Sequence, residues 1–375
     1  MIEKNKVLVG TLCQRESGLE LLRIIAICMV VFMHSAGQVQ GQLSFFNIFV
    51  GTLQNSICNI GVTCFVLIAG CFGIKRKAKK IITMEVMILF YSLLSLIIQI
   101  LVENYSLQSA LFHHPSMFLK AFFPIVTYRY WFLSCYIFLT LLSPYINDFI
   151  ESLSKQKFEY LLILLIILFY FFPTFFYFEI TNDHGKGLIN MIICYFIGRY
   201  IGLYCGRVVS RTRMLVAFIV IIFLEFFGNI TLHILYGKAV SIFARDNSIF
   251  ILFAAIAFFM LFRSFRFKSS VINNIAKHVL AVYCFETTLR LYIVHHYFDL
   301  SPLSSSNILF LAVFLYTLFI FLSCLVIEFF RGLLFARAES WAICKIEILF
   351  VSSCDYLKKR FDEIKRTVQR YYRFD

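Results

Sequence analysis

One apolar run near the start of the chain carries a carboxylate, a guanidinium and an imidazole: Glu20, Arg23 and, after ten uncharged apolar residues, His34. At about 100° and 1.5 Å per helical residue, Arg23 and His34 fall on nearly one face, about 16 Å apart along the axis. Glu20 precedes Arg23 by three residues and can pair with it. Neutral imidazole near pH 7 can take a proton from a hydroxyl, which suits general-base work. Taken singly, Glu20 and Arg23 could snorkel to an interface while His34 caps the far end. Taken together, three polar groups on one stripe point to a polar cavity between helices.

Other residues stand out for the same reason, since an ionisable group inside a membrane is costly and each one is a candidate site. Glu286 and Arg290 are four apart on one helical face and can form an internal pair, shaping a site or neutralising each other. Lys75, Arg76, Lys77, Lys79 and Lys80 form the densest basic cluster, either a phosphate-binding patch or a topology signal. Trp131 can stack on a flat ligand ring, and Trp is also common at membrane interfaces. Arg199 can meet an anion or snorkel. Glu225 and Asn229, one turn apart, form a polar pair with no evident role. Gly198, Gly202 and Gly206 recur every four residues, which predicts close helix packing. Twelve Cys are scattered without metal-ligand spacing and read as small apolar residues, so no metal is expected.

The elements that must position these groups follow from composition. Of 375 residues, 61 % are hydrophobic, 15 % charged and 46 are Phe. Ordinary soluble domains carry about 25 % charged residues. A soluble fold of this size has too little interior for so much apolar surface, and disorder is excluded by the same numbers. The apolar runs are continuous, not alternating, which sets aside an outer-membrane barrel. What remains is an all-α polytopic membrane protein.

A bilayer core about 30 Å thick needs about 20 helical residues. Ten stretches supply them: 19–37, 55–73, 82–102, 130–147, 159–178, 188–205, 214–233, 248–264, 272–295 and 307–330. Lys277, His278, Glu286 and Arg290 interrupt the ninth. With the N-terminus cytoplasmic, 26 of the 35 Lys and Arg fall on that side, 5 on the other and 4 within spans. Lys and Arg favour cytoplasmic loops, so this segregation supports ten helices with both termini cytoplasmic. The net charge of +14 has the same origin and does not call for nucleic acid. No cleavable signal peptide is expected, because the first apolar run carries Arg23. Residues 1–330 form the membrane domain. Residues 331–375, with Lys358, Lys359, Arg360, Lys365, Arg366 and Arg370, form a basic amphipathic cytoplasmic tail against an anionic leaflet.

The pattern acidic-x-x-Arg, ten residues, His in the first span resembles the hallmark of the acyltransferase family 3 integral membrane proteins. Asn59-Ile-Gly-Val-Thr-Cys-Phe-Val-Leu-Ile-Ala-Gly70 is similar to that family's second-span segment, with Ala69 where Ser is usual and a basic cluster following. Tyr130-Trp131-Phe132-Leu133, running to Leu142-Ser143-Pro144, resembles its fourth-span signature. Val282-Tyr283-Cys284-Phe285-Glu286 stands where many members carry Tyr-Leu-Ile-His, so Glu286 replaces a family histidine. The resemblance covers most of residues 18–330.

The resemblance implies a cell-membrane enzyme that moves an acyl group, most often acetyl, from cytoplasmic acyl-CoA to a hydroxyl of an envelope glycan or lipid-linked sugar. Acyl-CoA would be a co-substrate, with no bound cofactor. His34 would activate the acceptor hydroxyl or accept the acyl group transiently. Arg23 would hold a CoA phosphate or the Glu20 carboxylate, and Lys75, Arg76, Lys77, Lys79 and Lys80 would hold CoA phosphates. The acceptor, the acyl chain and the oligomeric state stay open. Two other readings remain: a transporter or flippase of lipid-linked oligosaccharide, against which stands the absence of an internal repeat, and a non-catalytic scaffold. A third keeps the enzyme and changes the donor to succinyl or a longer chain.

Overall fold

The computed structural model describes residues 16–206, 209–237 and 241–371, with the side chains of 351–371 described only in part. The first 15 and last four residues, Arg207, Lys238 and the side chains of Lys358, Lys359, Arg366 and Arg370 lie outside the described residues, and with them part of the expected charge bias and tail.

A chain in lipid must satisfy its backbone groups within each segment, so continuous apolar runs coil into helices. No strand occurs among the described residues. The helices are α1 (Ser17–Ala36), α2 (Phe45–Cys58), α3 (Ile60–Phe72), α4 (Ala78–Val102), α5 (Leu107–His113), α6 (Pro115–Phe122), α7 (Trp131–Ser152), α8 (Lys155–Ile166), α9 (Phe172–Phe176), α10 (Leu188–Tyr204), α11 (Arg211–Tyr236), α12 (Ile249–Arg263), α13 (Ser270–Ile275), α14 (Val279–Thr288), α15 (His295–Tyr297) and α16 (Leu309–Tyr371).

Each of the ten expected stretches is helical, but seven helices are long and apolar enough to cross a membrane: α1, α2–α3 together, α4, α7, the stretch Lys155–Phe176, α11, and Leu309–Phe350 of α16. The difference falls on three elements. The apolar helices α10 and α12 have 17 and 15 residues; at 1.5 Å per residue both are shorter than a core about 30 Å thick. The ninth stretch is broken into α13, a 3₁₀ turn Ala276–His278, α14, a π turn Leu289–Val294 and α15. Two boundaries also move. The second span begins at Phe45, where the Ser44 hydroxyl accepts from Asn47 N at 3.2 Å and caps α2. No break separates a tail at residue 330, because α16 runs 63 residues from Leu309. Between 309 and 371 there is one glycine, Gly332, and no proline to stop it.

α1 is the shared wall of two apolar clusters. Leu19, Leu22 and Ala26 pack with Cys64, Leu67, Tyr195 and Phe259. Ile27 and Val31 pack with Tyr91, Leu133, Val282, Phe285 and Ile320. The buried cysteines Cys64, Cys194, Cys284 and Cys324 sit in these clusters as small apolar side chains.

Glycines bring α3 and α10 into backbone contact. A Cβ on Gly198 would lie 2.6 Å from the Leu67 carbonyl oxygen, and one on Gly70 would lie 2.5 Å from that of Tyr195. Gly202 is as tightly placed against Cys71, whereas Gly206 has nothing within 4 Å. The four-residue repeat thus marks the contact at its first two positions. Backbone cannot yield as a side chain can, so Gly198→Leu should lower stability by at least the usual overpacking cost of about 1–3 kcal/mol. Gly206→Ala should leave thermal unfolding in detergent unchanged.

Candidate functional site

The polar groups gather at the two ends of α1. At its N-terminal end, Arg23 Nη1 donates to Glu20 Oε1 at 2.6 Å. Glu20 is buried, and its Oε2 has no hydrogen-bond partner. The basic loop between α3 and α4 lies at this end too. It is anchored at its base: Ile74 N donates to Tyr195 Oη (2.9 Å), Asn147 Nδ2 to Ile74 O (3.1 Å), and Tyr195 Oη to Asn147 Oδ1 (2.8 Å). Gly73 turns the chain with φ +73°, a conformation that favours glycine. Beyond the anchor, Lys75, Arg76 and Lys77 are exposed, and Lys79 and Lys80 occupy the first turn of α4. Cations there oppose the helix dipole, so side chains and free backbone N–H groups together make a positive patch. Lys80 is within electrostatic reach of Arg23. Arg199 packs its guanidinium over Gly73, and its Nε has no hydrogen-bond partner.

At the other end of α1, His34 Nδ1 lies 2.7 Å from Glu286 Oε1. Glu286 is 1 % exposed. The His34 side chain is 42 % exposed, so its second nitrogen is reachable. Both carboxylate oxygens are engaged: Oε1 also accepts from Thr287 Oγ1 (2.5 Å), and Oε2 accepts from Arg290 Nε (3.2 Å). Arg290 Nη1 in turn donates to Gln38 Oε1 at 2.9 Å. Gln38 is one helical repeat past His34, so the chain His34–Glu286–Arg290–Gln38 closes back on the end of α1. Arg290 lies in the π turn, an irregularity that is frequent at functional sites.

A carboxylate on one imidazole nitrogen fixes the tautomer. The Nδ1–H donates to Glu286, and the Nε2 lone pair is left to take a proton. Sequence reasoning pairs Glu286 with Arg290, four residues on, but does not bring His34 to them, because His34 and Glu286 are 252 residues apart. The one available signal is that Glu286 replaces a family histidine with another ionisable group. Gln38 and Thr287 carry no sequence signal.

Along α1, the interval between the two ends carries apolar side chains, not polar ones. Ile27, Val30 and Val31 are buried there. Phe132 stacks with Tyr136 at 6.0 Å and packs against Tyr283 at 5.6 Å. The reason is already in the residues, since all ten between Arg23 and His34 are apolar. Trp131 heads α7 with its ring against Phe132 and packs with the cluster that contains Cys64 and Cys194. Glu225 and Asn229 have a structural place. Asn229 Nδ2 donates to Glu225 Oε1 (2.5 Å), and Asn229 Oδ1 accepts from Phe243 N (3.1 Å), which pins the loop before α12. Among the described residues no group of three His, Cys, Asp or Glu could hold a metal ion.

The family model described as an acyltransferase domain matches residues 16–329, which includes both ends of α1, Glu286 and Arg290. No curated protein and no solved structure matches the chain.

Proposed function

Because the chain belongs to this family of acyltransferases, we propose that it moves an acyl group, most simply acetyl, from acyl-CoA to a hydroxyl of a cell-envelope glycan or lipid-linked sugar. The observation that carries the reading is the contact of His34 with the buried Glu286, which gives a reachable imidazole a fixed tautomer. In this reading the basic end of the bundle faces the cytoplasm. Lys75, Arg76, Lys77, Lys79, Lys80 and Arg23 hold the CoA phosphates there. The pantetheine arm lies along α1 toward His34, a span of about 16 Å.

At the far end the acceptor hydroxyl gives its proton to His34 Nε2 while its oxygen attacks the thioester carbonyl carbon. The C–O bond forms and the C–S bond breaks. The departing thiolate takes the proton from the imidazolium, so no proton is gained or lost overall. Glu286 holds the Nδ1–H and stabilises the imidazolium, the part a carboxylate plays beside a catalytic histidine. Arg290 balances the carboxylate in a setting where an unpaired charge would be costly.

The test uses the full chain in lipid nanodiscs, labelled acetyl-CoA and an envelope extract. CoA release with label in a glycan is the expected result. Movement of lipid-linked oligosaccharide across the bilayer without CoA release would replace this reading with a transporter. In the same assay, Gln at 75, 76, 77 and 79 together should raise KM for acetyl-CoA at least tenfold and weaken its salt dependence.

A further inference from the structure

The chain holds a second imidazole backed by a buried carboxylate, at the basic end of the bundle. His278 Nδ1 lies 3.4 Å from Glu328 Oε1, and its side chain is as exposed as that of His34. Glu328 is buried. Its Oε2 accepts from Tyr91 Oη (2.5 Å) and Arg331 Nε (2.5 Å), and its Oε1 from Arg331 Nη2 (2.8 Å). Arg331 Nη1 donates in addition to Glu339. One guanidinium is thus shared between two carboxylates, and the set is one positive charge short until His278 is protonated. The other ionisable groups on the elements packed here are few. From α14 the Cys284 thiol faces Glu328 and Arg331. Lys277 is exposed and donates to Asn274 Oδ1 (2.8 Å), and α13 carries no charged residue. On α1, Arg23 donates to Glu20; toward the start of α4 stand Glu85 and, near Arg23, Lys80.

α14 joins this imidazole to the first one. It has ten residues, with the 3₁₀ turn Ala276–His278 before it and the π turn Leu289–Val294 after it. The 3₁₀ turn packs against α1. α13, just before it, is tied to the start of α1: Ser17 Oγ donates to Asn273 Oδ1 (3.1 Å) and accepts from Ser269 N (2.9 Å). His278 stands at the start of α14 and Glu286 near its end, eight residues or about 12 Å apart along the axis. Interruptions of this kind within a helical run often mark hinges. The register of so short a segment is set by what it packs on and by its charged contacts. Val282 and Phe285 pack in one cluster with Ile320 and Phe321 of α16. The charged contacts are His278 with Glu328 at one end and Glu286 with His34 and Arg290 at the other.

We infer that His278 is a positioning residue for the acyl transfer: as an imidazolium against Glu328 it ties the start of α14 to α16 and so keeps Glu286 in register with His34. The inference rests on the reading of the chain as an acyltransferase. Loss of the proton leaves Arg331 to serve two carboxylates alone, a costly arrangement in a buried setting, and loosens the tie. The two imidazoles are then needed in opposite states. His34 must be neutral to take the hydroxyl proton, and His278 must be charged to hold α14. Transfer therefore rises with pH as His34 loses its proton and falls again as His278 loses its own. A displacement of about 1 Å at reacting groups can cost about a hundredfold, so a small shift of α14 is enough.

The test follows kcat with acetyl-CoA and envelope extract from acid to alkaline pH, on the full chain in nanodiscs. The same samples with ring-labelled histidine and no acyl donor report the His34 tautomer by NMR, the signal being assigned by its loss in His34→Ala. In the wild type kcat should rise and then fall with pH. His278→Arg keeps a cation beside Glu328 and should remove the alkaline fall. His278→Gln offers Glu328 only a neutral donor. It should hold kcat at least tenfold below the wild-type maximum at every pH, move KM for acetyl-CoA less than twofold and leave His34 in mixed tautomers. Should His278→Gln fail to fold, the profile of His278→Arg decides alone. An alkaline fall of equal size in wild type and His278→Arg overturns the inference, as does a His278→Gln variant with unchanged kcat and His34 tautomer. A His34 tautomer that follows His278, in a protein that releases no CoA, upholds the coupling and overturns the acyltransferase reading.

Discussion

His34→Ala should lower acyl transfer by about a hundred- to ten-thousandfold, the usual contribution of a positioned general base. The reason is the division of labour at the ring. Nδ1 is occupied by Glu286, so a hydroxyl proton has only Nε2 to go to. No other imidazole is joined to this carboxylate: His278 pairs with Glu328 at 3.4 Å, and His295 faces Asp299. The side chain is partly exposed and makes its one bond at its tip, so its loss should leave folding intact. Purified variant and wild type should therefore melt together and bind acetyl-CoA alike while kcat collapses. His34→Gln is the sharper form, since glutamine can donate to Glu286 but is not a base at neutral pH. Undiminished acylation by either variant would remove His34 from the chemistry.

Much of this was legible in the sequence because it is local. The Glu20–Arg23 pair follows from a three-residue spacing, and the pair forms as that spacing requires. Glycine at 198 and 202 announces a close approach, and α10 meets the α3 backbone there. The helices themselves follow from uninterrupted apolar runs. What was not legible depends on register between distant segments or on departures from regular helix. The meeting of His34 with Glu286 needs α14 to lie beside α1 at one rotation, and no local pattern encodes that. The π turn at Leu289–Val294, which places Arg290 between Glu286 and Gln38, interrupts a run that reads as ordinary helix. The polar cavity expected between Arg23 and His34 was inferred from three polar groups at the two ends of one stripe. The side chains along α1 between them are all apolar, and Ile27, Val30 and Val31 are buried. Hydropathy also does not set helix length: α12 has 15 residues, and its Leu252, Ala254, Ala255 and Phe259 are all buried.

Glu286 should behave differently from His34, because it serves both the chemistry and the packing. Glu286→Gln keeps the shape and a carbonyl acceptor for Nδ1–H but removes the charge that stabilises the imidazolium. The corresponding carboxylate-to-amide change, Asp→Asn beside the catalytic histidine of a serine protease, lowers kcat about ten-thousandfold because the amide favours the wrong imidazole tautomer, and a loss approaching that is expected here with KM for acetyl-CoA little changed. Glu286→Ala should also harm the fold. It leaves Arg290, 7 % exposed, without its carboxylate, and breaking a buried pair in this way costs about 3–5 kcal/mol. The double variant Glu286→Ala with Arg290→Met removes both charges and should regain most of that stability without regaining activity. Thermal unfolding and kcat measured on the three variants thus move in different orders. Stability falls most in the alanine variant and recovers in the double variant, while kcat stays low in all three. If kcat instead recovered together with stability in the double variant, the carboxylate would be a packing element and His34 would need no partner to fix its tautomer.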